Sequence, residues 1–305
     1  MLQVQFIKDN QKKVLDGLAK RNFANANTII DAVLKADEKR RKTQVLLDNT
    51  LAELNTLSKE IGLLFKSGQT QKATIVKEKT SLLKEQSKAL TDQLNALSKE
   101  LTDLLYQLPN IPHASVASGK SEDDNEEIFK EGAIPTLHKG SLPHWELVKK
   151  YDIVDFELGT KITGAGFPVY KGKGAKLQRA LINYFLDKNT EAGYKEFQVP
   201  HLINESSGIG TGQLPDKEGQ MYHVGIDDLY LIPTGEVPIT NMFRGNIVNE
   251  GDLPILSTGY TPCFRREAGS YGSHVRGLNR LHQFDKVEIV RIEHPDNSYK
   301  ALDGM

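Results

Sequence analysis

The sequence of 305 residues predicts an α+β protein in two parts: a long antiparallel α-helical coiled-coil arm at the N-terminus, then a half that mixes β-strands with helices. Three observations carry that prediction. Apolar residues repeat every seven positions over much of the first hundred residues, and a proline-rich acidic segment then breaks the pattern. Beyond the break, short apolar runs take the two-residue period of strands.

In the first heptad run Leu47, Leu54 and Ile61 stand seven apart, with Leu57 and Leu64 on the companion position. After Lys66-Ser-Gly-Gln-Thr70 the second run has Leu83, Leu90, Leu97 and Leu104 at the same spacing, with Leu94 and Leu101 on the alternate seam. Two such helices joined by a short glycine-containing turn pack antiparallel. The hairpin is expected over residues 28–106 with its tip near 66–70. At about 1.5 Å per residue each helix is on the order of 50 Å long, enough to project from a globular body. A dimerisation strut has the same periodicity, but charge near the turn favours an anionic partner. Between residues 59 and 88 there are seven lysines (59, 66, 72, 77, 79, 84 and 88) against three acids (60, 78 and 85). Lys39-Arg-Arg-Lys42 adds a second basic run nearer the base. Such surfaces suit a phosphate backbone recognised by shape.

Pro109, Pro112, Pro135 and Pro143, with the acidic Ser121-Glu-Asp-Asp-Asn-Glu-Glu127, mark a connector. Domains are therefore expected at 1–109, the helical arm, at 110–148, the connector, and at 149–305. The 39 basic and 40 acidic residues nearly cancel, so an anionic partner must be met by a local patch. The single cysteine, Cys263, excludes an internal disulfide framework and fits a reducing compartment. No apolar run approaches the roughly 20 residues of a membrane span, and the N-terminus lacks a signal-peptide pattern, so a cytoplasmic protein with no membrane partner is expected.

In the second half, residues 176–189 carry a helical stripe (Leu177, Ala180, Leu181, Tyr184, Phe185), and Phe197-Gln-Val-Pro-His-Leu reads as a strand interrupted by Pro200. Gly172-Lys-Gly-Ala-Lys176 precedes that helix but lacks both the third glycine of a dinucleotide fingerprint and the Gly-Lys-Ser/Thr of a Walker loop. Gly208-Ile-Gly-Thr-Gly212 follows no clear strand and reads as a mobile loop near a site entrance. Leu229-Tyr-Leu-Ile-Pro-Thr-Gly-Glu-Val-Pro238 is a short strand running into a helix start, where Gly235 lets a small ligand approach and Thr234 and Glu236 offer a hydroxyl and a carboxylate. A helix cap is the plain alternative for Thr234.

The densest chemistry lies in Thr261-Pro-Cys-Phe-Arg-Arg-Glu267 and Phe284-Asp-Lys-Val-Glu288. If both are extended, Arg265 and Glu267 share one face of the first strand, and Phe284, Lys286 and Glu288 share one face of the second. Phe264, Val287 and Ile289 then turn into a core. A guanidinium, an ammonium, two carboxylates and a flat ring on one sheet surface point to a ligand.

Phe-Arg-x-Glu, a variable loop and Arg280-x-x-x-Phe284 look like motif 2 of the class II aminoacyl-tRNA synthetases. Cys-Phe-Arg-Arg-Glu-Ala-Gly-Ser-Tyr-Gly272, His282-Gln-Phe-Asp-Lys-Val-Glu288, Thr234-Gly-Glu236, Asn110-Ile-Pro-His113, Ser121-Glu-Asp-Asp-Asn125 and Pro143-His-Trp-Glu146 together resemble the seryl-tRNA synthetases over essentially the whole chain. The resemblance implies a class II antiparallel sheet flanked by helices, with motif 1 at about 166–203 and motif 2 at about 257–290. It implies ligation of serine to tRNA(Ser), driven by ATP with Mg²⁺, and leaves tRNA(Sec) open as a further acceptor. In the implied ATP site, Arg265 joins the serine carboxylate to the α-phosphate, Glu267 accepts from the adenine amino group, Phe284 stacks on the ring, Arg280 meets the outer phosphates and Arg266 adds a backbone contact. The implied serine site is Thr234, Gly235, Glu236, Arg265 and Glu288, and no metal ligand is assigned. The arm would bind the long variable arm of the tRNA, and motif 1 would build a homodimer in which one subunit's arm serves the other's site. Two departures stand out: Ala117 replaces a usual proline, and the third class II motif would lie beyond Met305. No motif 3 residue is assigned, and the sequence reads as a portion of a longer protein or as a truncation. The alternative function is a non-catalytic tRNA-binding relative or an inactive fragment, against which the intact Arg265, Glu267, Phe284 and Glu288 set argues.

Overall fold

The computed structural model describes residues 1–267 and 276–305, which divide into two compact units, Met1–Ile134 and Pro135–Met305. The connector expected over 110–148 is shared between them.

The first unit is helical. Two short helices, α1 (Val4–Asp9) and α2 (Gln11–Lys20), precede the long pair α3 (Ala26–Lys66) and α4 (Thr70–Leu105). The heptads define the contact between α3 and α4, whose seam is more polar than the leucines alone suggest. Thr43 and Thr50 on α3 and Thr80 on α4 are buried at seam positions and Ser87 is half-buried there. Thr50 Oγ1 and Thr80 Oγ1 donate to the carbonyls of Leu46 (2.8 Å) and Lys77 (2.7 Å), so their hydroxyls are satisfied within their own helices. Gly68 turns the chain at φ +72°, a conformation that a side chain resists. At the base, Leu2 just before α1, Ile7 of α1 and Val14 and Leu18 of α2 pack with Ile30, Val33, Leu101, Leu105 and Leu108 in a closed core. Lys20, Arg21 and Asn22 then donate to the carbonyls of Ala114, Val116, Asn110 and Gly119, tying down the start of the connector.

Of the seven tip lysines, only Lys79 has a carboxylate partner among the described residues, Glu53 across the hairpin at 2.7 Å. The second basic run differs from its sequence reading. Arg40 and Arg41 both pair with Asp37, and Lys42 pairs with Glu38, so two carboxylates of the same helix offset half of that stretch's four positive charges.

The second unit contains α5 (His144–Lys150), β1 (Val154–Asp155), α6 (Phe156–Ile162), β2 (Val169–Tyr170), α7 (Lys173–Glu191), β3 (Lys195–Glu196), β4 (Leu202–Ile203), α8 (Glu205–Gly210), β5 (His223–Val224), β6 (Leu229–Leu231), α9 (Glu236–Asn241), β7 (Ile255–Phe264), β8 (Gln283–Ile292) and α10 (Ser298–Asp303). The ten-residue strands β7 and β8 pair antiparallel from Ile255↔Ile292 to Phe264↔Gln283, and β3 joins the other edge of β7 in parallel. A second sheet has the order β4-β6-β5 over a core of Ile203, Leu214, Met221, Ile232 and Val237. No helix among the described residues is long and apolar enough to cross a membrane.

Two sequence expectations are corrected here. The glycine cluster 208–212 is not a free loop: Asn204 caps α8 by accepting from Ser207 N–H at 3.0 Å, and Asn241 on α9 donates to the Ser207 carbonyl at 2.9 Å. Val287, Ile289 and Phe264 do not enter a closed core; all three are half-buried. Helix α7 backs their face of the sheet largely through polar contacts, Gln178 to Asp285 and Asn189 to Thr258, and leaves Leu177, Leu181, Tyr184 and Phe185 exposed.

Candidate active site

The register of β7 and β8 sets the site. Cys263 lies opposite Phe284, Thr261 opposite Lys286 and Gly259 opposite Glu288, so these six share one face. Cys263 and Thr261 are fully buried beneath it, and burial pushes the Cys263 thiol above its ordinary pKa. Phe284, Lys286 and Glu288 rise from β8 in that order, about 7 Å apart at the usual strand rise.

The segment between β6 and α9 crosses the Glu288 end. Its placement follows from three contacts: Ile232 is fully buried, its carbonyl accepts from Phe264 N–H at 2.9 Å, and a side chain at Gly235 would come within 3.2 Å of Thr261 Oγ1 and 3.4 Å of Glu288 Cβ. Glycine thus lets the segment lie close against the sheet, and a side chain there would press on Thr261 by a few tenths of an ångström. Thr234 acts both as a cap and as a site residue. Its Oγ1 accepts from Glu236 N–H at 3.2 Å, as a cap does, and donates to Glu288 Oε2 at 2.6 Å. Glu236 begins α9 with its side chain exposed.

Arg265, Arg266 and Glu267 depart from the regular strand expected for them. β7 ends at Phe264, Arg265 N–H still bonds the His282 carbonyl at 2.9 Å, and Glu267 turns into the left-handed region at φ +48°. The simple alternation of Arg265 with Glu267 therefore fails, and tertiary contacts aim both side chains instead. The Arg265 guanidinium lies 5.1 Å from the centre of the Phe284 ring, and its Nε donates to the Pro233 carbonyl at 3.3 Å. Glu267 pairs with Arg280 at 2.8 Å. Arg266 N–H bonds the Gln220 carbonyl at 2.9 Å. Residues 268–275, with the Ala-Gly-Ser-Tyr-Gly272 end of the motif string, lie outside the described residues.

The structure thus brings Thr234, Gly235, Arg265, Phe284 and Glu288 to one surface and couples Glu267 to Arg280. Lys286, which the sequence marks only as a charge on this face, binds Glu288 Oε2 at 2.6 Å. Its position two residues before Glu288 is the available signal. His282 has no role in the sequence reading, yet its backbone holds Arg265 N–H and Gly166 O, and its ring meets Tyr222 Oη at 2.7 Å and stacks on Phe167 at 5.3 Å. Chemically the surface offers a cation–ring pair for a flat anionic ligand at one end and an anchored carboxylate for a small polar one at the other.

Comparison with known proteins gives consistent matches. Residues 1–112 match the seryl-tRNA synthetase N-terminal domain, and residues 222–305 match the tRNA synthetase class II core domain (G, H, P, S and T). The chain is 47% identical over 305 residues to the serine–tRNA ligase of Salinibacter ruber, covering 100% of this chain and 71% of that protein. It is likewise 47% identical to the serine–tRNA ligase of Hydrogenobaculum sp., covering 100% of this chain and 72% of that one. Among solved structures, the seryl-tRNA synthetase of Pyrococcus horikoshii complexed with ATP superposes with a TM-score of 0.81 at 29% identity, covering 100% of this chain and 72% of that chain. The cytoplasmic serine–tRNA ligase of Naegleria fowleri in complex with AMP gives 0.78 at 25%, covering 100% and 74%. The heptad arm, the β7–β8 site and whole-chain likeness to serine–tRNA ligases lead to one conclusion: this chain belongs to the seryl-tRNA synthetase family, the ATP-dependent serine–tRNA ligases of class II.

Proposed function

We propose that this chain activates L-serine with ATP and passes the seryl group to the 3′ end of tRNA(Ser). The observation that carries the reading is the order along β8, with Phe284 under the Arg265 guanidinium at one end and Glu288 held by Thr234 at the other. A nucleotide at the first and serine at the second would meet between them. There a serine carboxylate oxygen attacks the α-phosphorus, the bond to the β-phosphate breaks and pyrophosphate leaves. A terminal ribose hydroxyl of the tRNA then attacks the seryl carbonyl and AMP departs.

The protein's part is positioning and charge stabilisation. Arg265 can hold the serine carboxylate and the α-phosphate with one planar fork, which lysine cannot. Phe284 stacks on adenine, and Glu267 accepts from its amino group. Arg280, half exposed in its pair with Glu267, can exchange that carboxylate for the outer phosphates. Arg266 contributes through its backbone. Thr234, Gly235, Glu236 and Glu288 form the serine pocket. Mg²⁺ would accompany the nucleotide, where it neutralises phosphate charge.

The hairpin over 28–106 and its unpaired tip lysines would hold tRNA(Ser), with tRNA(Sec) as a further substrate to be assayed. Domain limits of 1–109, 110–148 and 149–305 go with that division of labour. The exposed stripe of α7, Leu177, Leu181, Tyr184 and Phe185, supports a homodimer built on that helix. A buried, poorly ionised thiol as the sole cysteine suits the cytoplasm.

The test is serine-dependent ATP–pyrophosphate exchange by the full-length protein. Arg265→Ala should lower exchange at least about a hundredfold, as loss of a transition-state contact does, while tRNA binding persists. Exchange with a different amino acid and none with serine would refute the reading. tRNA binding without any exchange would favour the non-catalytic alternative.

A further inference from the structure

We propose that Lys286 is a positioning residue for serine recognition, fixing Glu288 so that one carboxylate oxygen is committed to the protein and the other is presented to the substrate. The inference rests on the serine site proposed above. Glu288 Oε2 takes two short contacts, from Lys286 Nζ and from Thr234 Oγ1, each at 2.6 Å, and among the described residues Oε1 accepts no hydrogen bond. The two donors arrive from different elements, β8 and the turn before α9, so together they define the carboxylate plane. The pair is sheltered, with 32% of the Lys286 side chain and 20% of the Glu288 side chain exposed, so it is screened less than a surface ion pair.

The pairing also sets the chemistry. A carboxylate already neutralised by an ammonium attracts a second cation weakly but still accepts a hydrogen bond, so Glu288 Oε1 reads a hydroxyl in preference to a charged amine. Lys286 also lies between Phe284 and Glu288 on the shared face. Held by Glu288, its ammonium is kept from pairing with the serine carboxylate, which remains for Arg265.

Kinetics of pyrophosphate exchange by the full-length protein separate these roles. Lys286→Met should raise KM for serine on the order of tenfold or more, with KM for ATP unchanged within about twofold, because uniform binding of one substrate is lost. Lys286→Arg, which keeps a cation beside Glu288, should recover most of the serine KM. On a Glu288→Gln background Lys286→Met should add little, since both changes remove one interaction. A parallel rise in KM for ATP, or effects of Lys286→Met and Glu288→Gln that multiply, would overturn the role by assigning Lys286 to the phosphates. A parent enzyme without serine-dependent exchange would remove both this inference and the function beneath it, whereas an active parent with the wrong variant pattern removes only this one.

Discussion

Thr234 carries two hydrogen bonds with one oxygen, and its hydroxyl, not its methyl, is what Glu288 uses. Hydrogen bonds to charged groups contribute about 1.5–3 kcal/mol, so Thr234→Ala should raise the serine KM in pyrophosphate exchange roughly 10-fold or more, and Thr234→Ser should not. Cys263 tests the floor of the same site. Buried completely, with its thiol held above the ordinary range first by desolvation, it should resist iodoacetamide at pH 8 in the native protein and react on denaturation; rapid native labelling would show that β7 and β8 open. Behind the sheet, burial and then the hydrogen bond to Asp285 raise the Tyr260 pKa well above the tyrosine norm. Because the folded value lies above the unfolded value of about 10, the stabilisation is complete below pH 10 and is lost as pH rises beyond it. Urea unfolding at pH 8 and pH 11 should therefore show a smaller alkaline loss for Tyr260→Phe than for the parent.

Elements differ in how openly the sequence displays them. The α3–α4 hairpin is legible because leucines seven apart over several turns suit a paired helix and little else, whereas α1 and α2 are not, being too short for a repeat to register. Strands of two or three residues, such as β3 and β4, exist through their partners, Lys195 beside Ser257 and Leu202 beside Leu231, so the single interrupted strand expected over Phe197–Leu202 is instead mostly the link between two short strands of different sheets. α8 is hidden because its glycines outweigh the Asn204 cap. In the site, the alternation of Phe284, Lys286 and Glu288 is readable from β8, but the aim of Glu267 depends on a left-handed turn that strand periodicity cannot foresee. The arm should also be separable in function. Replacing residues 45–92 with a short turn leaves the base core of α1, α2, Leu101 and Leu105 intact, so pyrophosphate exchange should persist while tRNA charging falls steeply.

Over the whole molecule, charge is nearly balanced at −1, so the proposed attraction of RNA calls for a local patch, and the arm tip offers one. Six of its seven lysines lack a carboxylate partner among the described residues. Replacing Lys66, Lys72 and Lys77 with Gln should flatten the dependence of log K for tRNA on log salt by up to about 3 units of slope, with pyrophosphate exchange unaffected. An equal salt response in parent and variant would place the phosphate contacts elsewhere. The tight Gly68 turn has a further consequence, for the order in which the chain folds. Zipping outward from that turn closes only short loops at each step, and it returns Leu101, Leu105 and Leu108 to the neighbourhood of residues 2–36 before the base core must form. The arm then works as a splint that converts the most distant contacts of its unit into near ones. Gly68→Ala, which strains the turn, should slow refolding more than it speeds unfolding in a denaturant chevron, as expected for a site formed early.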